Sequence, residues 1–317
     1  MKKLIMISAL LSCLLVMPEG IMAQNKTNDK EQFKYIIDEF ADIKVMRYQI
    51  PAWDNLSLKQ QEYLYYLSQA ANSGRDILWD QNYKYNLTVR RTLENILSTY
   101  NGKRQGKEWE DFIVYAKRVF FSNGIHHHYA EDKIMPTFSK NFFSTLLKQS
   151  NQKNFPTNKG EKVDAFFPRV TDIIFSKKIA PYRKETDKTK DIVSSSAVNF
   201  YEGVTRSEVE EFYNKKQSPN PERPLSFGLN SKVIKENGQV KEQVYKLGGL
   251  YSSAIKEIIY WLEKANSVAE NERQREYTSS LIEYYKTGDL EIWDKYNVQW
   301  VSDVESMCDY VNGFIED

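Results

Sequence analysis

The chain has 317 residues, of which 41% are hydrophobic and 14% aromatic, a composition that argues against intrinsic disorder and can fill one large core or two smaller ones. Its 44 Lys and Arg residues balance 43 Asp and Glu residues, so a net charge of +1 gives no field that would attract nucleic acid or an anionic membrane. All three histidines stand at 126–128, which excludes a His-Glu-x-x-His zinc helix, and two cysteines cannot form a four-cysteine zinc site.

The first 23 residues are typical of a secretory signal peptide. Lys2 and Lys3 precede an apolar run from Leu4 to Met17, and Ala23 offers the small residue at which such a signal is cleaved. That run is shorter than the roughly 20 residues that span a bilayer. We therefore predict an exported protein, periplasmic or extracellular, with no membrane span.

An alternative interpretation places the processing site at Cys13. The sequence Leu10-Leu11-Ser12-Cys13 resembles a lipoprotein box, in which that cysteine would be acylated. Either route leaves Cys308 without an internal disulfide partner, so the core alone must stabilise the fold. Residues 24–31 are polar and are predicted to be a disordered linker, and residues 32–317 are predicted to form the folded lobe.

The folded part begins with an extended segment and a series of helices. Residues 47–51 have an extended pattern that ends at a proline. Ser57 and Gln60 form a capping-box pattern before a helix, which Gly74 is expected to interrupt or bend. Apolar spacing predicts further helices over roughly 86–99, 107–121 and 139–149. Asn123-Gly124 would form a left-handed cap at the end of the second of these helices.

The second half combines a hairpin with two more helices, so the fold class that we predict is helix-rich α+β. Asn237-Gly238 lies between two strand-like runs over residues 232–245 and predicts a β-hairpin. A long helix should follow Gly249, and another near 273–286 should end at Gly288. Val311, Phe314 and Ile315 have strand propensity without a closing element, which indicates an unfinished domain or a frayed terminus.

The histidine cluster is one candidate for chemistry. If residues 125–129 form a strand, His126 and His128 share one face. Two imidazoles on one face could bind a metal ion with a third ligand, for which Glu131 and Asp132 are close in sequence. A histidine facing a cleft could instead contact a ligand, and a buried, hydrogen-bonded histidine would be structural. The residues alone leave these three interpretations open.

Two carboxylates near the predicted C-terminal strand are a second candidate. Asp309 and Glu316 could hold the free amino group of a peptide through charge-assisted hydrogen bonds if they face a cleft. Exposed charge without a ligand is the default for such residues.

Several stretches, in order, resemble one enzyme family. They are Phe40-Ala41-Asp42-Ile43, Arg47-Tyr48-Gln49-Ile50-Pro51, Leu64-Tyr65-Tyr66-Leu67-Ser68-Gln69-Ala70-Ala71, Gly74-Arg75-Asp76-Ile77-Leu78 with Asp80-Gln81-Asn82, Phe121–Tyr129 with Lys133-Ile134-Met135-Pro136, and Asn312-Gly313-Phe314-Ile315-Glu316. Their order and spacing resemble the N-terminal half of dipeptidyl peptidase III, a family of zinc exopeptidases, and especially its Bacteroides-type members. The similarity covers nearly the whole mature chain.

The resemblance implies a two-lobed enzyme that removes dipeptides from the N-termini of short peptides. One lobe holds zinc through a His-Glu-x-x-Gly-His helix and a downstream glutamate, and the other contains a small β-barrel with helices and binds the peptide. The sequence contains no His-Glu-x-x-Gly-His. We therefore expect the non-zinc lobe, truncated before the zinc-binding region, with no cofactor of its own and no activity alone. Its expected partners are short peptides and a complementing chain with the zinc lobe.

Seven residues are predicted to bind substrate. They are Asp309, Asn312, Glu316, Asn123, Gly124, His126 and His128. Asp309 falls where the family places an acid that receives the amino terminus of the substrate, and Glu316 aligns with the Gly-Phe-Ile-Glu segment of the family. A nearby family tyrosine meets Val311, with Tyr310 one position away. The alternatives are a non-catalytic peptide-binding module and a small metal-binding protein that uses His126 and His128.

Overall fold

The structure is a computed structural model, and it describes residues 33–314. The predicted signal peptide, Cys13, the linker at 24–31 and Glu316 lie outside the described residues. Within residues 33–314, none of the helices is both long and apolar enough to cross a bilayer.

Contacts between residues divide the chain into a small and a large unit. The small unit contains most of a two-stranded sheet, formed by β1 (Ile36–Phe40) and β2 (Ile43–Met46). The predicted extended segment at 47–51 follows β2 directly and continues into the large unit, which resumes at Gln49.

The large unit is predominantly helical, which confirms the helix-rich α+β prediction. Its helices are α1 (Leu58–Asn82), α2 (Asn86–Thr99), α3 (Lys107–Phe121), α4 (Lys140–Lys148), α5 (Val163–Phe175), α6 (Ile192–Ser195), α7 (Arg206–Asn214), α8 (Ser252–Ser267), α9 (Glu272–Thr287) and α10 (Leu290–Val301). A second sheet has the order β3 (Tyr201–Glu202), β4 (Ser231–Glu236), β5 (Gln239–Val244). The sheets of the described residues are small and open, so the β-barrel that the resemblance implied is not found in this part of the chain.

The strongest local signals in the sequence were correct. The bounds of α2 and α3 match the predicted ranges, and Ser57 and Gln60 form both hydrogen bonds of the capping box. Strands β4 and β5 pair antiparallel around Asn237 and Gly238, whose φ angles of 52° and 80° suit a tight hairpin turn. Gly288 closes α9 in a left-handed conformation.

Gly74 does not interrupt α1, so this part of the prediction, which allowed an interruption or a bend, is wrong. The helix continues for 25 residues, from Leu58 to Asn82, and packs along α8. A Cβ atom at position 74 would lie 3.4 Å from Cδ1 of Ile258 on α8. The glycine is therefore found where the two helices approach each other closely, and their packing keeps the helix continuous through it.

Three of the longer helices formed where no helix was predicted. Helix α5 contains Pro168 in its second turn and buries Phe166, Val170 and Ile174. Helices α7 and α10 are mostly surface-facing, with only one buried residue each, Val209 and Tyr296. Weak periodicity and an internal proline hide such helices in the sequence, and tertiary packing decides them.

Two large clusters of buried side chains support the large unit. The first lies among the four helices α2, α3, α4 and α5 and contains Leu93, Ile96, Phe112, Val119, Phe143, Phe166 and Val170. The second joins α1, α8 and α9 and contains Ile77, Ile255, Leu262, Tyr277, Leu281, Tyr284 and Phe314. Because Phe314 belongs to the second cluster, the chain that leads to it lies against α1, α8 and α9.

The segment that follows α10 is irregular rather than a strand. Residues 303–314 form no ladder, and Val311 is 77% exposed, whereas Phe314 packs against Tyr245 and Tyr285. The predicted C-terminal strand is therefore wrong for the described residues, because anchoring side chains rather than strand pairing fix this segment.

Candidate functional site

A groove of about 750 Å³ runs along α1. The base of the groove is a stripe on one face of that helix, and its sides include α8 and residues 309–314, which we call the wall segment. The residues that line the groove include Leu64, Leu67, Ser68, Ala71, Arg75, Leu78, Gln81, Ile258, Leu262, Asp309, Asn312 and Phe314. The lining is mainly apolar. Arg75 and Asp309 are its only charged side chains among the described residues.

The wall segment is held by contacts of Cys308, the residue before it, and of Phe314, its last residue. At its start, the amide of Cys308 donates to Glu270 Oε1 at 2.7 Å, and Gln274 Nε2 donates to the carbonyl of Cys308 at 2.9 Å. Cys308 itself is buried and is a free thiol. At the other end, the ring of Phe314 lies 5.5 Å from that of Tyr285. The segment between these anchors therefore has a fixed place beside α1.

Asp309 presents one free carboxylate oxygen at the groove. Its Oδ1 atom accepts hydrogen bonds from Trp300 Nε1 at 2.7 Å and from the amide of Tyr310 at 2.7 Å. Its Oδ2 atom accepts none from residues 33–314, and the residue is exposed. A carboxylate oriented in this way can accept hydrogen bonds from an ammonium group.

Asn312 presents an amide group to the same groove. Its Oδ1 atom accepts a hydrogen bond of 2.7 Å from the hydroxyl of Tyr285, which fixes the orientation of the amide. Its Nδ2 atom is buried and has no hydrogen-bond partner in the described part of the chain. An unpaired buried donor is costly, so a ligand with a carbonyl or carboxylate oxygen would be stabilised here.

Val311 and Tyr310 lie on opposite sides of the wall segment. Val311 is exposed, while Tyr310 packs inward against Tyr277, with their ring centroids 5.9 Å apart. The hydroxyl of Tyr310 is 3.5 Å from Thr278 Oγ1, which is 3.4 Å from the hydroxyl of Tyr63 on α1. These contacts place the start of the wall segment beside the first turns of α1.

Asn123 and Gly124 form the left-handed end of α3 that the sequence predicted. Asn123 has a φ angle of 50°, and its carbonyl accepts hydrogen bonds from Nδ2 of Asn82 at 3.3 Å and of Asn86 at 3.5 Å. Asn123 also lines a second, open cavity of about 570 Å³, together with Arg75 and Arg90. Arg75 is thus common to this cavity and to the groove.

The predicted strand at 125–129 is wrong. Residues 128–130 form a turn, and His126 makes only an isolated bridge with Lys133, so His126 and His128 do not share the face of a strand. His128 is half-buried, with its ring stacked on that of His127 at 4.6 Å. Its Nδ1 atom lies 3.5 Å from Ser122 Oγ.

His126 is buried, with 2% of its surface exposed. Its Nε2 atom lies 2.9 Å from the carbonyl oxygen of Ala180, and its Nδ1 atom has no partner in the described structure. Burial lowers the pKa of His126 to about 4, against a partial opposing effect of the bond to Ala180, while the nearby cations of Lys133 and Arg183 lower it further. The imidazole is therefore neutral at pH 7 and connects two parts of the fold.

The described residues do not form a zinc site. They contain no group of three or more His, Cys, Asp or Glu side chains with the geometry to hold a metal ion. His126 Nε2 is already engaged with Ala180. The catalytic zinc that the family resemblance implies therefore has no ligand set here.

Arg183, which no sequence pattern singled out, connects the turn that contains His128 to the rest of the fold. Arg183 donates from Nε and Nη2 to Glu131 at 2.6 and 2.9 Å, and from Nη2 to the carbonyl of His128 at 3.2 Å. Partial burial raises the pKa of Glu131, but the hydrogen bonds and charge of Arg183 outweigh it and hold that pKa below its usual value. No local pattern marks Arg183, because its partner is about fifty residues away in sequence.

The second half of the chain matches a known family. The family model described as peptidase family M49 matches residues 170–317. This part of the chain is similar to peptidase family M49. The match confirms the resemblance to the dipeptidyl peptidase III family, and it includes the wall segment, α8 and α9 but not α1.

Solved structures that are similar include two dipeptidyl peptidase III proteins. The enzyme from Caldithrix abyssi is 15% identical, with a TM-score of 0.48, and the match covers 80% of this chain and 35% of that protein. The enzyme from Corallococcus sp. strain EGB is 12% identical, with a TM-score of 0.47 and the same coverages of 80% and 35%. The chain thus spans about a third of the length of these proteins. No curated protein gave a significant match.

Proposed function

We propose that this chain is the peptide-binding portion of an exported, dipeptidyl peptidase III-like metallopeptidase. The observation that supports the proposal most strongly is the wall segment. It belongs to the part of the chain that matches peptidase family M49, and it presents Asp309 Oδ2 and Asn312 Nδ2, both without hydrogen-bond partners within residues 33–314, to one groove.

In this proposal the groove binds an extended peptide along α1. From Leu64 to Gln81, the helical stripe at the base is about 26 Å long, which is enough for about eight extended residues. Apolar side chains of the peptide would be buried against Leu67, Leu78 and Ile258. Asp309 would accept hydrogen bonds from the amino terminus, and Asn312 would donate to a main-chain carbonyl.

Hydrolysis is assigned to a different part of the enzyme. The described residues offer no zinc ligand set, and the sequence has no His-Glu-x-x-Gly-His. We propose that a zinc-bearing lobe, supplied by another segment or by a complementing chain, would complete the site. Until it is supplied, this chain should bind peptides without cleaving them.

Calorimetry with tetra-alanine tests the peptide-binding proposal. We expect saturable binding to the purified chain, weakened about tenfold or more by Asp309→Asn because the ammonium loses a charged acceptor. Asp172→Asn, at an exposed position on α5 outside the groove, is the matched control and should bind as the wild type does. Absence of binding heat with the folded wild-type chain would contradict the proposal.

A hydrolysis assay tests the assignment of catalysis. The chain, with added zinc, should release no dipeptide from an arginyl-arginyl chromogenic substrate. Turnover that increases in proportion to protein and is abolished by a chelator would show that the chain holds a catalytic metal, and the assignment would then be wrong.

A further inference from the structure

The groove contains a second binding element besides Asp309. We propose that Arg75 binds the free carboxylate of a short peptide whose amino group is bound by Asp309. The groove would then select zwitterionic peptides of about four residues. This inference rests on the proposed peptide-binding function and names its ligand more closely.

Arg75 is available for a ligand. It is exposed on α1 and forms no ion pair within residues 33–314. The adjacent Asp76 is already engaged, because its Oδ1 atom accepts a hydrogen bond from Arg90 Nη1 at 2.7 Å and its Oδ2 atom lies 3.8 Å from Arg91 Nη2. A guanidinium group has a planar set of donors that matches the two oxygens of a carboxylate.

Two amide groups with buried nitrogen atoms also line the groove. Gln81 is 1% exposed and lines the groove, and its side chain lies near the buried hydroxyl of Tyr245. The interaction of these two side chains opposes the larger effect of burial, which raises the pKa of Tyr245. Asn312 Nδ2 has no hydrogen-bond partner among the described residues. Buried donors without acceptors favour a ligand that brings oxygen atoms.

The charges in the groove are separated along its length. Contacts through Tyr310 and Thr278 place the start of the wall segment beside Tyr63. Arg75 lies further along the same helix, and the rise from Tyr63 to Arg75 is about 18 Å. An extended tetrapeptide measures about 13 Å, and the length of an arginine side chain can bridge the remainder. A peptide of this length would therefore reach both charges.

The rest of the lining explains why the two charges should matter. Apart from Arg75 and Asp309, the groove presents apolar and neutral side chains, so no other charged side chain of its lining can pair with a charged end of a ligand. A ligand with one charged end would leave one of the two side chains without a partner. A ligand with opposite charges at the two ends would pair with both.

Calorimetry with three forms of one peptide tests the inference. Tetra-alanine should bind about tenfold or more tightly than tetra-alanine amide, because the amide lacks the charge that pairs with the guanidinium. Arg75→Gln should bind the acid and the amide equally, and it should still discriminate against N-acetyl-tetra-alanine because Asp309 is intact. Arg91→Gln, an exposed arginine on α2 outside the groove, is the matched control and should retain the preference for the acid.

The outcomes separate this inference from the proposed function. Equal affinity of the wild-type chain for the acid and the amide would overturn carboxylate recognition while leaving peptide binding intact. An acid preference that persists in Arg75→Gln would overturn the role of Arg75. If none of the three peptides bound to the chain, both the proposed function and this inference would be overturned.

Discussion

Gly124 is a residue for which the structure accepts no side chain. Its φ angle is +155°, and a Cβ atom there would lie 2.2 Å from Nδ2 of Asn86. Asn86 is fully buried, and its Oδ1 atom accepts a hydrogen bond of 3.1 Å from the amide of Ile125. The asparagine therefore cannot move aside without leaving a buried amide unpaired.

We accordingly expect Gly124→Ala to lower the free energy of unfolding by about 2–4 kcal/mol, through overpacking and loss of a buried hydrogen bond. Urea denaturation of the purified variant measures this. Gly160→Ala is the control, because Gly160 also has a positive φ of +81°, but a methyl group added there would have no described atom within 4 Å. It should cost only about 1 kcal/mol of backbone strain. Equal losses in the two variants would refute the packing argument.

His126 makes stability depend on pH. Its pKa is about 4 in the folded chain, against about 6.5 when unfolded, so protons bind more readily to the unfolded state. The stabilisation is fully present above pH 6.5 and is lost as the pH falls towards 4, to a total of about 3 kcal/mol. Urea denaturation at pH 7 and pH 4.5 measures the loss.

The variant His126→Gln isolates this contribution from that of the carboxylates. It has no titrating group at position 126, so its free energy of unfolding should fall by about 2–3 kcal/mol less than that of the wild type between pH 7 and pH 4.5. The same decrease in both proteins would show that the imidazole does not cause the dependence.

At the scale of elements, some parts of the fold follow from local signals in the sequence, and others depend on tertiary contacts. Helices α2 and α3 and the β4–β5 hairpin follow from apolar spacing, a capping glycine and an Asn-Gly turn, all of which act within a few residues. The turn at 128–130 and the irregular wall segment depend on Arg183, Glu270 and Phe314, which act across the fold. Such long-range contacts leave no periodic trace in the sequence.

Helix α1 offers a prediction at this scale. Gly74 lies in the middle of the helix, and a methyl group there would be in ordinary contact with Ile258 Cδ1 at 3.4 Å. Gly74→Ala should therefore raise the free energy of unfolding by about 0.5–1 kcal/mol, because alanine favours the helix. Thermal denaturation measures the gain.

Gly74→Leu is the comparison, because its larger side chain would separate α1 from α8 and should lower the free energy of unfolding by about 1–3 kcal/mol. If the alanine variant were also destabilised, the two helices would be packed more tightly than the distance of 3.4 Å indicates.

At the scale of the whole molecule, sequence resemblance identified some residues of the candidate site and missed others. The resemblance selected Asp309 and Asn312, and both line the groove, although their role in binding stays a prediction. It also selected His126, which the structure buries. Arg75 and Gln81 lie in stretches that carried the resemblance, but only the packing of α1 against the wall segment shows that they face the same cavity.

The region after α10 also affects solution behaviour. Five apolar side chains between residues 298 and 311 are each 68% or more exposed: Val298, Val301, Val304, Met307 and Val311. Exposed apolar surface favours association. We expect the sedimentation coefficient of the wild type to rise with protein concentration, and the double variant Val304→Ser, Met307→Ser to reduce that rise.

Val193→Ser, at a partly buried position on α6, is the control for adding a hydroxyl group away from this region and should associate as the wild type does. A concentration-independent sedimentation coefficient for the wild type would contradict the expectation.

The buried thiol of Cys308, the residue before the wall segment, gives a way to follow that segment directly. Burial raises the pKa of Cys308 to about 11, so almost no reactive thiolate is present at neutral pH while the segment stays in place. In a Cys13→Ser background, a maleimide would modify Cys308 only during excursions in which the segment detaches from Tyr63 and Ala265. A peptide seated in the groove should make those excursions rarer, so the alkylation rate would report occupancy without any catalytic readout.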